Sequence, residues 1–137
     1  MLFRYFAMLS MFKMGDWKRA IAIDFDGTIC KSKYPDIGEP NWNIINQARL
    51  EQKSGAGLIL WTCREGELLS NAIKACAEWG LRFDAVNDSL PEWKEYFGSN
   101  CRKIGADEYW DDKAIPVKNG CLVDCHYDRI VMKSGDA

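Results

Sequence analysis

The chain has 137 residues, a formal net charge of −2, 47% apolar residues and 28% charged ones. That length supports one domain with a real core rather than two, and the charge argues against a protein built around the nucleic-acid backbone, a local basic patch aside. The six cysteines (Cys30, Cys63, Cys76, Cys101, Cys121 and Cys125) include no CxxC pair, which sets aside a zinc ribbon or a thioredoxin-type site and fits reduced thiols in a cytoplasmic protein.

Residues Met1 to Met14 are apolar and rich in Met and Phe. Arg4 and the run after it hint at a signal peptide. However, Lys13 interrupts the run, no small-residue cleavage pattern follows, and the run is too short to span a bilayer. Met8, Met11 and Met14 are alternative starts. Residues 1–16 therefore read either as an extension outside the core or as a short amphipathic helix docked on the domain or a partner. Residues 17–137 read as a single domain.

Ala20 to Asp24 predicts strand one, with Ile21-Ala22-Ile23 as its buried run. Asp24 and Asp26 follow, one residue apart. Two carboxylates at a strand end are costly without a positive charge between them, and a divalent cation with a phosphate held by it is the natural candidate. Asp24 is placed to act as nucleophile and metal ligand, and Asp26 to move a proton. Gly27 permits a tight turn and the Thr28 hydroxyl can steady it. Ile29 to Pro40 is a polar loop containing Tyr34-Pro35 and Gly38. Asn41 is a good N-cap for a helix whose apolar residues are Ile44, Ile45 and Ala48 and whose end is marked by Gly55.

Gly57 to Trp61 is a continuous apolar run, as expected of a parallel strand buried on both faces. It leads into Thr62-Cys63-Arg64-Glu65. Gly66-Glu67 opens a second helix with the stripe Leu69, Ala72, Ile73, Cys76 and Trp79, stopped at Gly80. Phe83 to Val86 predicts a third strand. Asn87 to Gly98 predicts a loop with a single helical turn carrying Trp93, Tyr96 and Phe97, and Ser99 to Ile104 another turn of helix. Asp107 to Trp110 predicts strand four, ending in Asp111-Asp112-Lys113, and Cys121 to Asp124 a fifth strand.

Strands alternating with helical patterns predict an α/β fold with an open parallel sheet and right-handed crossovers. Ligands of such sheets sit at the carboxyl ends of the strands. Asp24, Asp26, Thr62, Asp111 and Asp112 all fall there, and Lys103 lies just ahead of strand four.

Asp24-Phe25-Asp26-Gly27-Thr28 resembles the first motif of the haloacid dehalogenase (HAD) superfamily, Asp-x-Asp-Gly-Thr, in its phosphatase form. Trp61-Thr62-Cys63-Arg64 resembles the second motif, Lys103 the third and Asp111-Asp112 the fourth, so the likeness runs from Ala20 to about Ile115. It implies a three-layer Rossmann-like (HAD-like) sheet and Mg²⁺-dependent phosphomonoester hydrolysis. Asp24 would attack phosphorus and form an aspartyl-phosphate, and Asp26 would be the general acid and base. Asp24, Asp111, Asp112 and the backbone carbonyl of Asp26 would hold the metal, Asp112 directly or through water. Thr62 and Lys103 would hold the phosphoryl oxygens together with N–H groups of the loop after Asp24. By the same resemblance Asp26 disfavours dehalogenation, since dehalogenase members lack this second acid.

Cys30 to Pro40 and Glu65 to Asn100 are too short for a cap domain, so the resemblance implies a minimal, capless member. An open site suits a bulky substrate such as a nucleic-acid end, a phosphoprotein or a large glycan. It also suits a small substrate if a second subunit of a homo-oligomer closes it. The expected partner is thus a phosphorylated substrate, with nucleic acid only as substrate and no membrane. Trp42, Trp93, Tyr96 and Phe97 either stack a base or sugar or pack helix against sheet. Arg64 and Glu65 either line the site or form a surface ion pair. Cys63 has no histidine near it in sequence to activate it, and Cys121, Cys125 and His126 read as strand and surface residues rather than as a partial metal site. The alternatives are a catalytically silent HAD-fold binding module, a phosphotransferase using the same intermediate, and a receiver domain, whose paired acids would come first rather than last.

Overall fold

The computed structural model describes residues 18–123. The N-terminal extension, Asp124, Cys125 and His126 lie outside the described residues. Two apolar runs build the centre of the fold. β1 (Ala20–Ile23) and β2 (Gly57–Leu60) are buried along their whole length and pair in parallel, from Ala20 opposite Gly57 to Ile23 opposite Leu60. β4 (Glu108–Trp110) joins the free side of β1 and β3 (Ala85–Val86) the free side of β2, giving a parallel sheet of order β3-β2-β1-β4.

Side chains alternate across this sheet, so each strand feeds two cores. Ile21, Ile23, Leu58 and Leu60 face α1 (Trp42–Lys53) through Ile45 and Ala48, and α2 (Gly66–Glu78) through Ala72 and Cys76. Ala20, Ala22 and Ile59 face the other way, onto Leu90, Ile104 and the Trp93 ring of α3 (Pro91–Phe97). Helices thus flank the sheet on both faces, the three-layer α/β architecture expected from the alternating pattern. No helix among the described residues is long and apolar enough to cross a membrane.

The amino ends of the strands are tied by side chains. The Asp84 carboxylate accepts the Leu58 N–H at 2.8 Å and the Asp107 carboxylate accepts the Ala20 N–H at 2.8 Å. Arg19 pairs with Glu51 and Glu108 at the same end. Asp84 thus meets Leu58 with both its backbone N–H, which donates to the Leu58 carbonyl at 2.8 Å, and its carboxylate, and β3 runs from Ala85 rather than from Phe83.

Other departures from the sequence reading have similarly local causes. Asn41 stands at the N-cap of α1, but its side-chain amide donates to the Thr28 carbonyl at 3.1 Å instead of capping the helix. Ile73 lies at the margin of the α2 stripe and is 38% exposed, while Ala75 is buried in its stead. α3 runs for seven residues, started by Pro91 and closed by Gly98 in the left-handed region. Ser99 to Ile104 is not helical. Ile104 is drawn into the core and the Gly105 N–H donates to Ser89 Oγ at 2.8 Å, which ties the end of this irregular segment to the domain. Cys121–Leu122 (β6) adds no strand to the parallel sheet. It pairs antiparallel with Val117–Lys118 (β5) across Asn119 and Gly120, both at positive φ, as an Asn-Gly hairpin turn demands.

The core assignment predicts that Leu58→Ala, at a fully buried position, costs about 2–5 kcal/mol in urea unfolding. Leu50→Ala, at a position 58% exposed on α1, should cost less than about 0.5 kcal/mol. Equal effects would contradict this assignment.

Candidate functional site

The chain leaves β1 in a tight turn. Phe25 accepts at its carbonyl from Ile29 N–H at 3.0 Å and Cys30 N–H at 3.2 Å, and the Gly27 N–H returns to the Cys30 carbonyl at 2.9 Å. Gly27 has φ +92°, and a Cβ there would collide with the Asp112 carboxylate. The absence of a side chain at Gly27 is therefore what lets the β1 and β4 loops close on each other. Thr28, buried beneath, joins them. Its hydroxyl donates to Asp24 Oδ2 at 3.3 Å and accepts the Asp112 N–H at 3.0 Å. Among the described residues, the Phe25 and Asp26 N–H groups have no hydrogen-bond partner.

This closure gathers Asp24, Asp111 and Asp112, each offering a carboxylate oxygen within 4.8 Å of the others. Asp24 is the innermost. Burial, and then the charges of Asp111 and Asp112, push its pKa from the ordinary 3.8 to about 7; the Thr28 hydroxyl opposes the shift. Three hard oxygen donors this close form a set able to hold a small divalent cation. No ion pair neutralises any of the three among the described residues.

Asp26 has a different fate. Its two carboxylate oxygens accept from Arg64 Nε at 2.8 Å and from Arg64 Nη2 at 2.7 Å. Arg64 is 1% exposed and also donates to the carbonyls of Pro35 at 3.0 Å and Asp36 at 2.8 Å. Its Cζ lies 5.0 Å from the Phe25 ring centroid and 5.2 Å from that of Tyr34. Phe25 in turn stacks on Trp79 with centroids 6.3 Å apart. Hydrogen bonding to Asp26 raises the Arg64 pKa above its already high ordinary value. A buried guanidinium paired in this way is well satisfied only while all its acceptors remain in place.

A cavity of about 320 Å³ opens over these groups, lined by Asp24, Asp26, Thr62, Arg64, Asp111 and Asp112, with Ser32, Tyr34, Cys63 and Lys113 also at its wall. Thr62 is oriented from two sides: its N–H donates to Asn87 Oδ1 at 2.8 Å and its hydroxyl accepts the Arg64 N–H at 3.1 Å. That leaves the hydroxyl proton to donate into the cavity. Two further cavities of about 340 Å³ each show no comparable convergence of acids, so it is the polar groups and not the volume that single this one out.

Of the residues expected from sequence, Asp24, Asp26, Thr62, Asp111 and Asp112 meet here. Lys103 does not line this cavity. Its segment is irregular rather than helical, its ammonium lies 5.7 Å from the Tyr109 ring centroid, and it borders a separate cavity with Trp93, Phe97 and Cys101. Lys113 is the lysine at the acidic wall, and its N–H donates to Asp111 Oδ1 at 2.9 Å. Trp93 and Phe97 pack on each other at that separate cavity, Tyr96 meets the Phe97 ring edge-on, and Trp42 borders the third. Arg64 is buried within the site rather than part of a surface ion pair. The parallel register brings Ile23 opposite Leu60, which sets Arg64 close to level with Asp26, and that register was the available signal.

No family model matches the chain, and no curated protein matches it. Among solved structures, it is similar to a conserved protein coded by a locus from Bacteroides thetaiotaomicron, with 38% identity and a TM-score of 0.62. The match covers 87% of this chain and 93% of that one. The chain belongs to the same family as that protein.

Two expected outcomes follow from this geometry. The folded protein holds the Asp24 proton up to about pH 7, whereas the unfolded chain releases it near 3.8. Folding therefore takes up a proton between these values, and this carboxyl makes stability fall as pH rises from about 4 to about 7. In chelating buffer, Asp24→Asn should gain melting temperature over wild type at pH 8 relative to pH 5, and added Mg²⁺ should narrow that gap. A pH-independent difference would refute the clustered-carboxylate origin. Arg64→Ala should cost about 3 kcal/mol in urea unfolding, the low end for a broken buried pair because Asp26 keeps 20% exposure. Arg64→Lys should recover little of it, because an ammonium cannot bridge both carboxylate oxygens and two carbonyls.

Proposed function

We propose that this protein is a phosphomonoesterase of the haloacid dehalogenase superfamily, dependent on a divalent cation and acting through an aspartyl-phosphate on Asp24. The observation that carries this reading is the meeting of Asp24, Asp111 and Asp112 within 4.8 Å at the carboxyl ends of two adjacent parallel strands, with Thr62 facing them across one cavity. The order of these groups along the chain supports the same reading.

Mg²⁺ fits the donor set: Asp24, Asp111 and Asp112 would hold it, with the Asp26 backbone carbonyl as a further oxygen. When bound it would neutralise phosphoryl charge and the mutual repulsion of the acids. The chain's own groups supply the rest. The Phe25 and Asp26 N–H groups, the Thr62 hydroxyl and the Lys113 ammonium would bind the phosphoryl oxygens. Asp24 attacks phosphorus, forming the P–O bond to its carboxylate as the ester P–O bond breaks, and the leaving oxygen takes a proton from Asp26. Asp26 then takes a proton from water as that water's oxygen attacks the same phosphorus. The acyl phosphate breaks, releasing inorganic phosphate and restoring the Asp24 carboxylate. Arg64 would hold the Asp26 carboxylate in place, and one of its two contacts to that carboxylate would have to yield for Asp26 to carry the proton. The role that the resemblance implies for Lys103 falls to Lys113 in this reading, because Lys113 borders the acids.

Hydrolysis of an aryl phosphate tests the proposal. Turnover should require Mg²⁺ and should fall at least about a thousandfold in Asp24→Asn, with an unchanged circular dichroism spectrum. Wild-type turnover in that variant would overturn Asp24 as nucleophile. Lys113→Ala should lower kcat/KM by about ten- to a hundredfold, as expected for losing a charged hydrogen-bond donor, and Lys103→Ala by much less. The reverse order would return the phosphoryl contact to Lys103.

A further inference from the structure

Tyr34 is large, aromatic and 61% exposed, yet its ring is not loosely placed. The guanidinium of Arg64 lies over it at 5.2 Å, and the two residues that follow Tyr34 give their carbonyls to the same guanidinium at 3.0 and 2.8 Å. The loop is thus fastened to an arginine that is itself buried and bound to Asp26. One guanidinium separates the Tyr34 ring from the carboxylate that serves the leaving group. Tyr34 is also the aromatic residue lining the acidic cavity; Trp42, Trp93 and Phe97 line the other two. A ring with two side-chain torsions, backed on one face by a guanidinium, loses little entropy on forming a contact, so its other face is suited to stacking.

We infer that Tyr34 is the specificity platform of this site and that it selects phosphomonoesters whose leaving alcohol carries a planar ring, aryl or nucleobase. The inference rests on the phosphomonoesterase reading and deepens it by naming the substrate class. The phosphoryl group would sit against Asp24 and Thr62 and the leaving oxygen against Asp26. The ring beyond that oxygen would lie on the solvent-facing side of Tyr34. A substrate without a ring would bind through its phosphate alone.

The test compares phenyl phosphate with glycerol 3-phosphate, with Mg²⁺ present, in wild type, Tyr34→Phe and Tyr34→Leu. The readout is the ratio of the two kcat/KM values, which cancels any general disturbance of the Arg64 loop. The ratio should fall about three- to tenfold in Tyr34→Leu, through KM for phenyl phosphate, and hold in Tyr34→Phe. Dissociation constants measured for the same two compounds in the Asp24→Asn background should shift by the same factor. Turnover with an unchanged ratio in Tyr34→Leu would overturn the platform and leave the phosphomonoesterase standing. Failure of wild type to hydrolyse either ester with Mg²⁺ would overturn the phosphomonoesterase reading and the platform with it.

Discussion

The Arg64 guanidinium answers to two separate pieces of chain: Phe25 and Asp26, through a ring face and a carboxylate, and Tyr34 to Asp36, through a ring face and the Pro35 and Asp36 carbonyls. It is almost wholly buried, and a buried cation must have its acceptors in place before the surrounding chain can close over it. Formation of the loop after β1, the loop after β2 and the segment around Tyr34 is thereby one event rather than three. The pair also divides the acids of the site into two kinds. Asp26 is neutralised by the protein itself. Asp24, Asp111 and Asp112 are brought together with no cation paired to them among the described residues, and burial first, then the two neighbouring charges, raise the pKa of Asp24. One carboxylate is thus neutralised within the fold, while three are left to repel one another, the arrangement on which the proposed cation site rests.

Acids at the two ends of the same sheet do opposite work. At the amino ends, Asp84 and Asp107 accept backbone N–H groups of the neighbouring strands and complete the ladder. At the carboxyl ends, Asp24 and Asp111 have each other for neighbours. The difference lies in what the parallel strands present. Their first N–H groups need acceptors and welcome a carboxylate, whereas the carboxyl ends open onto loops and the cavity.

Much of this was legible from the chain. Apolar runs of four residues located β1 and β2 to within a residue at their carboxyl ends, because strands buried on both faces leave no ambiguity of period. Asp24, Asp26, Thr62, Asp111 and Asp112 could be assigned to one edge because each follows a strand. What escaped was long-range. The place of Arg64 depends on the register between β1 and β2 and on a loop some 30 residues earlier in the chain. The sequence places Lys103 on a helical turn beside the site, but Ile104 and Gly105 have tertiary partners that tie down an irregular segment, and Lys103 lies over Tyr109. The fifth strand was found, but only the Asn-Gly turn before it specified a hairpin rather than a sheet strand. The aromatic residues at 93–97 looked available for stacking, whereas the ring at the acids belongs to Tyr34, which its own loop sequence gave no reason to prefer.

The strand order carries one more consequence. β1 is paired on both sides, while β4, among the described residues, is paired on one. Asp24 therefore projects from the strand whose amides should be the last to exchange with solvent, and Asp111 and Asp112 from a border where local opening is easier. The Thr28 hydroxyl, holding Asp24 on one side and the Asp112 amide on the other, is the stitch between a stationary half of the site and a compliant one. Any breathing of this centre would thus be one-sided: Asp24 stays put, and the acids opposite give way.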